Sequence, residues 1–183
     1  MDQPERELIH RAKQGDGWAF EQLVSRYDHL ILGLARDMVG DLADAQDVYQ
    51  EALLAAYRGL SGFRQDSEFS TWLYRIAVNQ ALRFRRRRQR RRETDEESAS
   101  ESAPPAQERP DGHVLQAELA RQLDRAMDGL SGQERAAFAL CHRQGLRIDR
   151  AAELMECSPG SVKSYLFRGR YKVKKALEPY LEH

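Results

Sequence analysis

Residues 69–92 read FSTWLYRIAVNQALRFRRRRQRRR, and this stretch decides the fold. Phe69, Trp72, Leu73, Ile76 and Ala77 recur at helical spacing, which predicts one apolar face turned inward. Ser70, Thr71, Tyr74, Arg75 and Asn79 fall off that stripe, giving a face of hydroxyls, an aromatic ring and a side-chain amide. The apolar half then runs into eight arginines within the ten residues 83–92. Guanidinium groups at that density repel one another unless they meet a polyanion, and phosphate is the obvious one.

Outward from this helix, composition narrows the class. The 183 residues suit one domain or two small ones. Lys+Arg and Asp+Glu number 29 each, so a net charge of zero conceals segregation. Acids concentrate at 37–51 and 93–111, bases at 83–92 and 143–175. Such blocks suggest nucleic acid on one part and a basic protein surface on another. Two cysteines, Cys141 and Cys157, make no disulfide framework and suit a reducing compartment. The N-terminus lacks an apolar signal core and no run reaches membrane-spanning length, so a soluble, cytoplasmic protein without membrane insertion is expected.

Towards the N-terminus the chain reads as helices. Glu5 to Gln14 carries Leu8, Ile9 and Ala12 on one side and stops at Gly15, with Asp16 placed to cap the next element. From Trp18 to Val39 the apolar set Phe20, Leu23, Val24, Tyr27, Leu30, Ile31, Leu34, Ala35 and Met38 predicts one helix of about six turns. Gly40 is placed as its C-terminal cap. A further helix spans Ala45 to Arg58, with Val48, Ala52, Leu53 (or Leu54) and Tyr57 as its apolar side. Asp44, Asp47 and Glu51 stack along another stripe, where three like charges favour an external cation. The turn Gly59 to Glu68 contains Phe63, Arg64 and Ser67 among small polar residues, and suits contact with a ligand rather than packing.

Towards the C-terminus, residues 93–112 hold seven acids, one Arg and three prolines, too little apolar surface to fold alone. Val114, Leu115, Leu119, Leu123, Ala126 and Met127 then form a helical stripe ended by Gly129. Ser131 and Glu134 have capping-box spacing before Ala137, Leu140 and Cys141. A short helix with Ala151, Ala152, Leu154 and Met155 precedes Ser158-Pro159, a good start for the last helix. That helix buries Val162, Leu166, Gly169 and Val173 and exposes Lys163, Ser164, Phe167, Arg168 and Tyr171. Two helices about a tight turn, the second basic outside, form a helix-turn-helix arrangement suited to the major groove. Nine Lys/Arg against three acids over 142–175 agree with that use. Phe167 suits either a thymine methyl or packing on a neighbouring turn.

At this point DAQDVYQEALLAAYRGLSGFR followed by EFSTWLYRIAVNQAL resembles the second conserved region of extracytoplasmic-function sigma factors of the sigma-70 family. LSGQERAAFALCHRQGLRIDRAAELMECSPGSVKSYLFRGR resembles their fourth region. The match covers nearly the whole chain except the linker, in family order, and is nearest the RpoE-like branch. The resemblance implies an all-α protein: residues 1–92 as region 2, 93–112 as a flexible acidic linker and 113–183 as region 4. It implies binding to core RNA polymerase and promoter DNA, promoter-specific initiation with help in opening the duplex, and an anti-sigma factor as a further partner. Asp44, Asp47, Gln50 and Glu51 match the polymerase-docking surface. Phe63, Arg64, Ser67, Trp72, Arg75 and Asn79 match the part that captures an unstacked minus-ten base. Arg83, Arg85, Arg86 and Arg143 match phosphate contacts, while Ser161, Lys163, Ser164, Phe167 and Arg168 match the minus-thirty-five face. The linker matches the segment that passes through the polymerase towards the RNA exit path.

Tyr165 departs from the family, standing where an Arg is common after Val-Lys-Ser. Arg147 to Arg150 departs from the usual start of the helix-turn-helix, and the arginine run is unusually dense. A free-standing helix-turn-helix regulator is the alternative, but it leaves the acidic stripe and the FSTWLYRIAVN helix unexplained. No Gly-rich phosphate loop, nucleophile motif or metal set supports an enzyme, so catalytic, cofactor and metal sites are all expected to be absent. Cys141, His142 and Cys157 do not have a recognised zinc spacing.

Overall fold

The computed structural model describes residues 4–96 and 122–181, and the described residues are helical with no strand. Helix α1 (Glu5–Lys13) buries Leu8, Ile9 and Ala12, and α2 (Gly17–Ser25) turns back on it. Asp16 caps α2 by accepting the Ala19 N–H at 3.0 Å, and Arg11 grips the same carboxylate at 2.6 Å.

The single six-turn helix expected from Trp18 to Val39 is two helices. Chain direction changes at Arg26 and Tyr27 before α3 (Asp28–Val39) begins. The Tyr27 hydroxyl donates to Glu5, and its ring lies 5.8 Å from that of Phe69. Both helices bury the same register of apolar residues, so periodicity runs unbroken across a joint that tertiary contacts create.

Gly40 ends α3 with φ +90°, a conformation that favours glycine. A Cβ there would also lie 2.9 Å from an Arg135 Nη. Asp41 then caps α4 (Leu42–Gly59) by accepting from the Ala43 and Asp44 N–H groups, one turn before the expected start at Ala45. The buried side of α4 is Ala45, Val48, Ala52 and Ala56. Leu53 is only half-buried, while Leu54 and Tyr57 are exposed, contrary to the expected apolar side. Small side chains let α4 lie close against α3 and the next long helix, so packing selected the alanine stripe over the larger residues.

A 3-10 turn (Leu60–Gly62) leads into α5 (Phe69–Glu96), which runs past the expected boundary at 92. At 28 residues it is about 42 Å long. Its inner face is Phe69, Thr71, Leu73, Ala77, Val78, Ala81 and Leu82. Thr71 was expected on the polar face but is buried, where the Arg150 guanidinium donates to its hydroxyl.

Most of the expected linker and the stripe at Val114, Leu115 and Leu119 lie outside the described residues. The chain is described again in α6 (122–128), which buries Ala126 and Met127. Next come α7 (Gly132–Phe138), a π-helical continuation Ala139–Arg143, α8 (Ile148–Leu154) and α9 (Pro159–Leu181). Ser131 and Glu134 form the expected capping box, each side chain bonded to the other's N–H at 3.3 and 2.9 Å. The turn between α8 and α9 uses Glu156 at φ +51°, and Ser158 accepts the Ser161 N–H at 3.0 Å. One apolar core runs without interruption from α1–α5 into α7, α8 and α9, so the two halves pack on each other. At the seam Gly132 meets Leu82, where a Cβ would lie 3.2 Å from the leucine.

Glu134 is 4 % exposed and joins α7 to α9 through Lys172 at 2.7 Å and Arg168 at 3.3 Å. Burial works to raise its carboxyl, but the Lys172 ammonium and the Ser131 groups outweigh that and hold it below its ordinary 4.5. A depressed carboxyl stabilises the fold above its unfolded pKa and loses that contribution as pH falls through the folded value. Glu134→Gln should therefore lower stability at pH 7 by about 1–3 kcal/mol. Urea midpoints should show the gap to wild type closing as the solution is acidified through that window.

Candidate nucleic-acid and protein-docking faces

Three exposed faces carry the residues singled out from the sequence. The first is the outer side of α4. Asp44, Asp47, Gln50 and Glu51 follow one another at helical spacing, with Asp47 and Gln50 exposed. The cations that this stripe was expected to need come partly from the chain itself. Arg88 reaches Asp44 at 2.7 Å, and Arg87 binds both oxygens of Glu51 at 2.9 Å. Leu54 continues the stripe one turn on and is 55 % exposed. A row of carboxylates ending in an exposed leucine fits a basic, partly apolar protein surface. From periodicity alone Leu54 is an alternative to Leu53 on the apolar side; its spacing of three from Glu51 and seven from Asp47 is the signal that places it on the acidic stripe.

The second face is the turn before α5 and the outer side of α5. The turn packs more than expected. Leu60 and Phe63 are buried, and the Phe63 ring sits 5.0 Å from Trp72 and 5.8 Å from Phe69. Lys13 donates to the Phe63 carbonyl at 2.9 Å, which ties the turn to α1. Phe63 thus supports the site from beneath and offers no ring to a ligand. Arg64 and Asp66 pair in the open at 3.2 Å, and Gln65 adopts φ +60° between them. Ser67 is half-buried.

Trp72 is half-buried, with one ring edge against the site of a Gly59 Cβ at 3.4 Å. Trp72, Arg75 and Asn79 fall on one stripe of α5, and Asn79 is exposed. Farther along, Arg83 and Arg86 are exposed. Arg85 is half-buried and donates to the Met38 and Leu130 carbonyls at 3.1 and 2.8 Å, so in this arrangement it joins the two halves. Arg75 likewise crosses to the other half and pairs with Glu153 at 3.0 Å.

The third face belongs to α9. Lys163, Ser164, Phe167 and Arg168 are exposed, and Ser161 is half-buried beside the cap. Phe167 is 74 % exposed, which resolves its alternatives against packing on a neighbouring turn. Ser164 donates to the Gly160 carbonyl at 3.0 Å, and the Arg168 guanidinium lies over the Tyr165 ring. Arg143, just before the helix-turn-helix, binds Asp37 at 2.9 Å, and Gln144 binds the other oxygen at 2.8 Å. Asp37, Arg135 and Glu153 escaped sequence reading because their importance lies in contacts between distant parts of the chain.

Cys141 and Cys157 are free thiols, and burial raises both above the ordinary value. Among the described residues no group of His, Cys, Asp or Glu could hold a metal ion. No helix among them is long and apolar enough to cross a membrane.

The chain is similar to known proteins over most of its length. The family description Sigma-70 region 2 matches residues 23–91, and Sigma-70, region 4 matches residues 120–173. The RNA polymerase sigma-H factor of Pseudomonas aeruginosa is 38 % identical, covering 97 % of this chain and 95 % of that protein. The ECF RNA polymerase sigma-E factor of Escherichia coli K12 is 35 % identical over 95 % of this chain and 94 % of its own. Among solved structures, CnrH in complex with the cytosolic domain of CnrY aligns with TM-score 0.66 and 26 % identity, covering 96 % of this chain and 97 % of that one. The sigma factor RpoE of Bartonella quintana, solved with the anti-sigma factor NepR, shares the fold at TM-score 0.64 and 23 % identity over 87 % of this chain and 96 % of its own.

Phe63→Ala should destabilise the chain by about 3–5 kcal/mol, because it empties a buried aromatic site. Urea unfolding of the isolated protein measures this. A loss below about 1 kcal/mol would return Phe63 to the list of surface contacts.

Proposed function

The chain belongs to the sigma-70 family, in its extracytoplasmic-function branch, and we propose that its three faces divide the work of promoter-specific initiation. The protein is a non-enzymatic initiation factor that works with core RNA polymerase. The stripe Asp44, Asp47, Gln50 and Glu51, extended by Leu54, docks on a basic helical surface of the polymerase. Residues 1–92 act as region 2, 93–112 as the linker through the polymerase and 113–183 as region 4. Acting on RNA polymerase, the chain works in the cytoplasm.

The observation that best supports the minus-ten assignment is the single stripe of α5 bearing Trp72, Arg75 and Asn79. A base swung out of the duplex costs a few kcal/mol, and stacking with edge hydrogen bonds must offset it. Trp72 offers an aromatic edge, Asn79 an amide with both donor and acceptor, and the Arg64–Ser67 turn the wall beside them. Arg75, Arg83 and Arg86 hold neighbouring phosphates without reading sequence. Arg85 joins them once the two halves separate. On α9, Lys163, Ser164 and Arg168 face base edges or phosphates of the minus-thirty-five element. Ser161 and Arg143 flank them on the backbone, and Phe167 meets a thymine methyl.

Regulation by an anti-sigma factor is part of the same proposal. It is supported by the Bartonella quintana relative, which was solved with such a partner.

Transcription in vitro with core RNA polymerase and a promoter-fragment library tests the whole reading. Sequence-selective initiation should require both components, whereas tight duplex binding by this chain alone with no initiation would favour a free-standing regulator. Trp72→Ala and Asn79→Ala should each reduce open complexes by about tenfold, the scale of one lost stacking or edge contact, with core binding nearly unchanged. Equal loss of both would remove the base-capture assignment.

A further inference from the structure

On the outer face of α9, Arg168 is held from two sides by its own domain. Its guanidinium carbon lies 5.3 Å from the centroid of the Tyr165 ring, one turn back on the same helix. Its Nε lies 3.3 Å from Oε1 of Glu134, while the side chain stays 55 % exposed. Neighbours on that face are not held in this way. Ser164 turns its hydroxyl back to the Gly160 carbonyl, and Phe167 projects into solvent.

Both grips are anchored from beneath. Glu134 is buried, and its other oxygen, Oε2, accepts from the Ser131 N–H at 2.9 Å and from Lys172 at 2.7 Å. Those donors stop the carboxylate from turning to follow the arginine. Tyr165 is half-buried with its ring packed on the apolar core, so it offers Arg168 a fixed platform. With Nε nearest the carboxylate, the Nη1–Nη2 edge is left, and its parallel N–H groups match paired acceptors such as guanine O6 and N7. A phosphate accepts a cation in many orientations, whereas a base edge accepts a bidentate donor in one. An arginine already ordered also loses less side-chain freedom on docking.

We propose that Tyr165 is a positioning residue for promoter selection, aiming Arg168, together with Glu134, at a base edge of the minus-thirty-five element. The proposal rests on the assignment of α9 to that element and deepens it, since it gives Arg168 a base-reading rather than a phosphate-holding role. An arginine at position 165, which the family resemblance leads one to expect, would repel Arg168 at this spacing and remove the platform. Tyr165 thus exchanges one positive charge for an ordered reader. An exposed cation–π contact shifts the population of the held arginine by about two- to fivefold, and that sets the size of the effect on base preference.

The test uses the full chain with core RNA polymerase and a promoter library randomised across the minus-thirty-five element, read by competitive initiation. R168A should relax the preference at one position, and Y165L should relax the same position by about two- to fivefold. Y165F, which keeps the ring, should retain the preference, and Y165L should add nothing in an R168A background. If Y165L is poorly folded by circular dichroism, Y165Q, a good helix former without a ring, takes its place. An intact preference in Y165L or Y165Q where R168A relaxes it overturns the inference alone. So does a Y165F as relaxed as Y165L, or a Y165L loss that persists in the R168A background. R168A without effect at any position would instead overturn the reading of α9, and this inference with it.

Discussion

A helix with eight arginines in ten residues holds together only if something answers their mutual repulsion, and α5 is that helix. Its first half is fixed by burial of Phe69, Leu73, Ala77, Val78 and Ala81 against α3 and α4. Its second half gains carboxylates from α4, through Arg87 with Glu51 and Arg88 with Asp44, and backbone carbonyls through Arg85. Each exposed pair contributes at most about 1 kcal/mol, so their effect is to set the direction of side chains rather than to carry the fold. Stability comes from the apolar core, which α5 extends from the first half of the chain into the second. The arginines therefore remain available for exchange.

The same division explains what the sequence made legible. Local signals read well: Asp16 as a cap, the Ser131–Glu134 capping box and Ser158 before α9 depend only on neighbours three residues away. The all-helical class was likewise readable from periodicity, and the family likeness agrees with the quoted motifs. Periodicity failed where tertiary contacts overrode it. The break at Tyr27 is invisible because both helices keep one buried register, and α4 turned its alanines inward although Leu54 and Tyr57 are larger. Phe63 read as a polar-loop residue because its partners, Phe69 and Trp72, lie beyond the turn.

The site was legible as residue types on helix faces but not as partners. Nothing local distinguishes Asp37 from any other surface aspartate near a helix end, yet it binds Arg143, 106 positions away. Glu153 and Arg75 are 78 apart. Contacts of that separation depend on how two helical units meet, and that is set by shape and burial along the Leu82–Gly132 seam. For the same reason Arg85 read as a phosphate contact, whereas here its guanidinium spans two backbone carbonyls of different units.

One consequence follows for the acidic stripe of α4. Asp44 and Glu51 serve on the proposed polymerase face while also neutralising Arg88 and Arg87. A basic partner that takes those carboxylates must release the arginines, and a polyanion that takes the arginines must release the carboxylates. Linkage makes the two effects equal in free energy, so on this reading docking to polymerase and grip on DNA strengthen each other through four side chains. Exposure and salt limit the size of that coupling, but its sign is fixed by charge alone. On that proposal the dense arginine run has a physical reason beyond added affinity: its pairs with Glu51 and Asp44 link the proposed polymerase face to the helix proposed to hold nucleic acid.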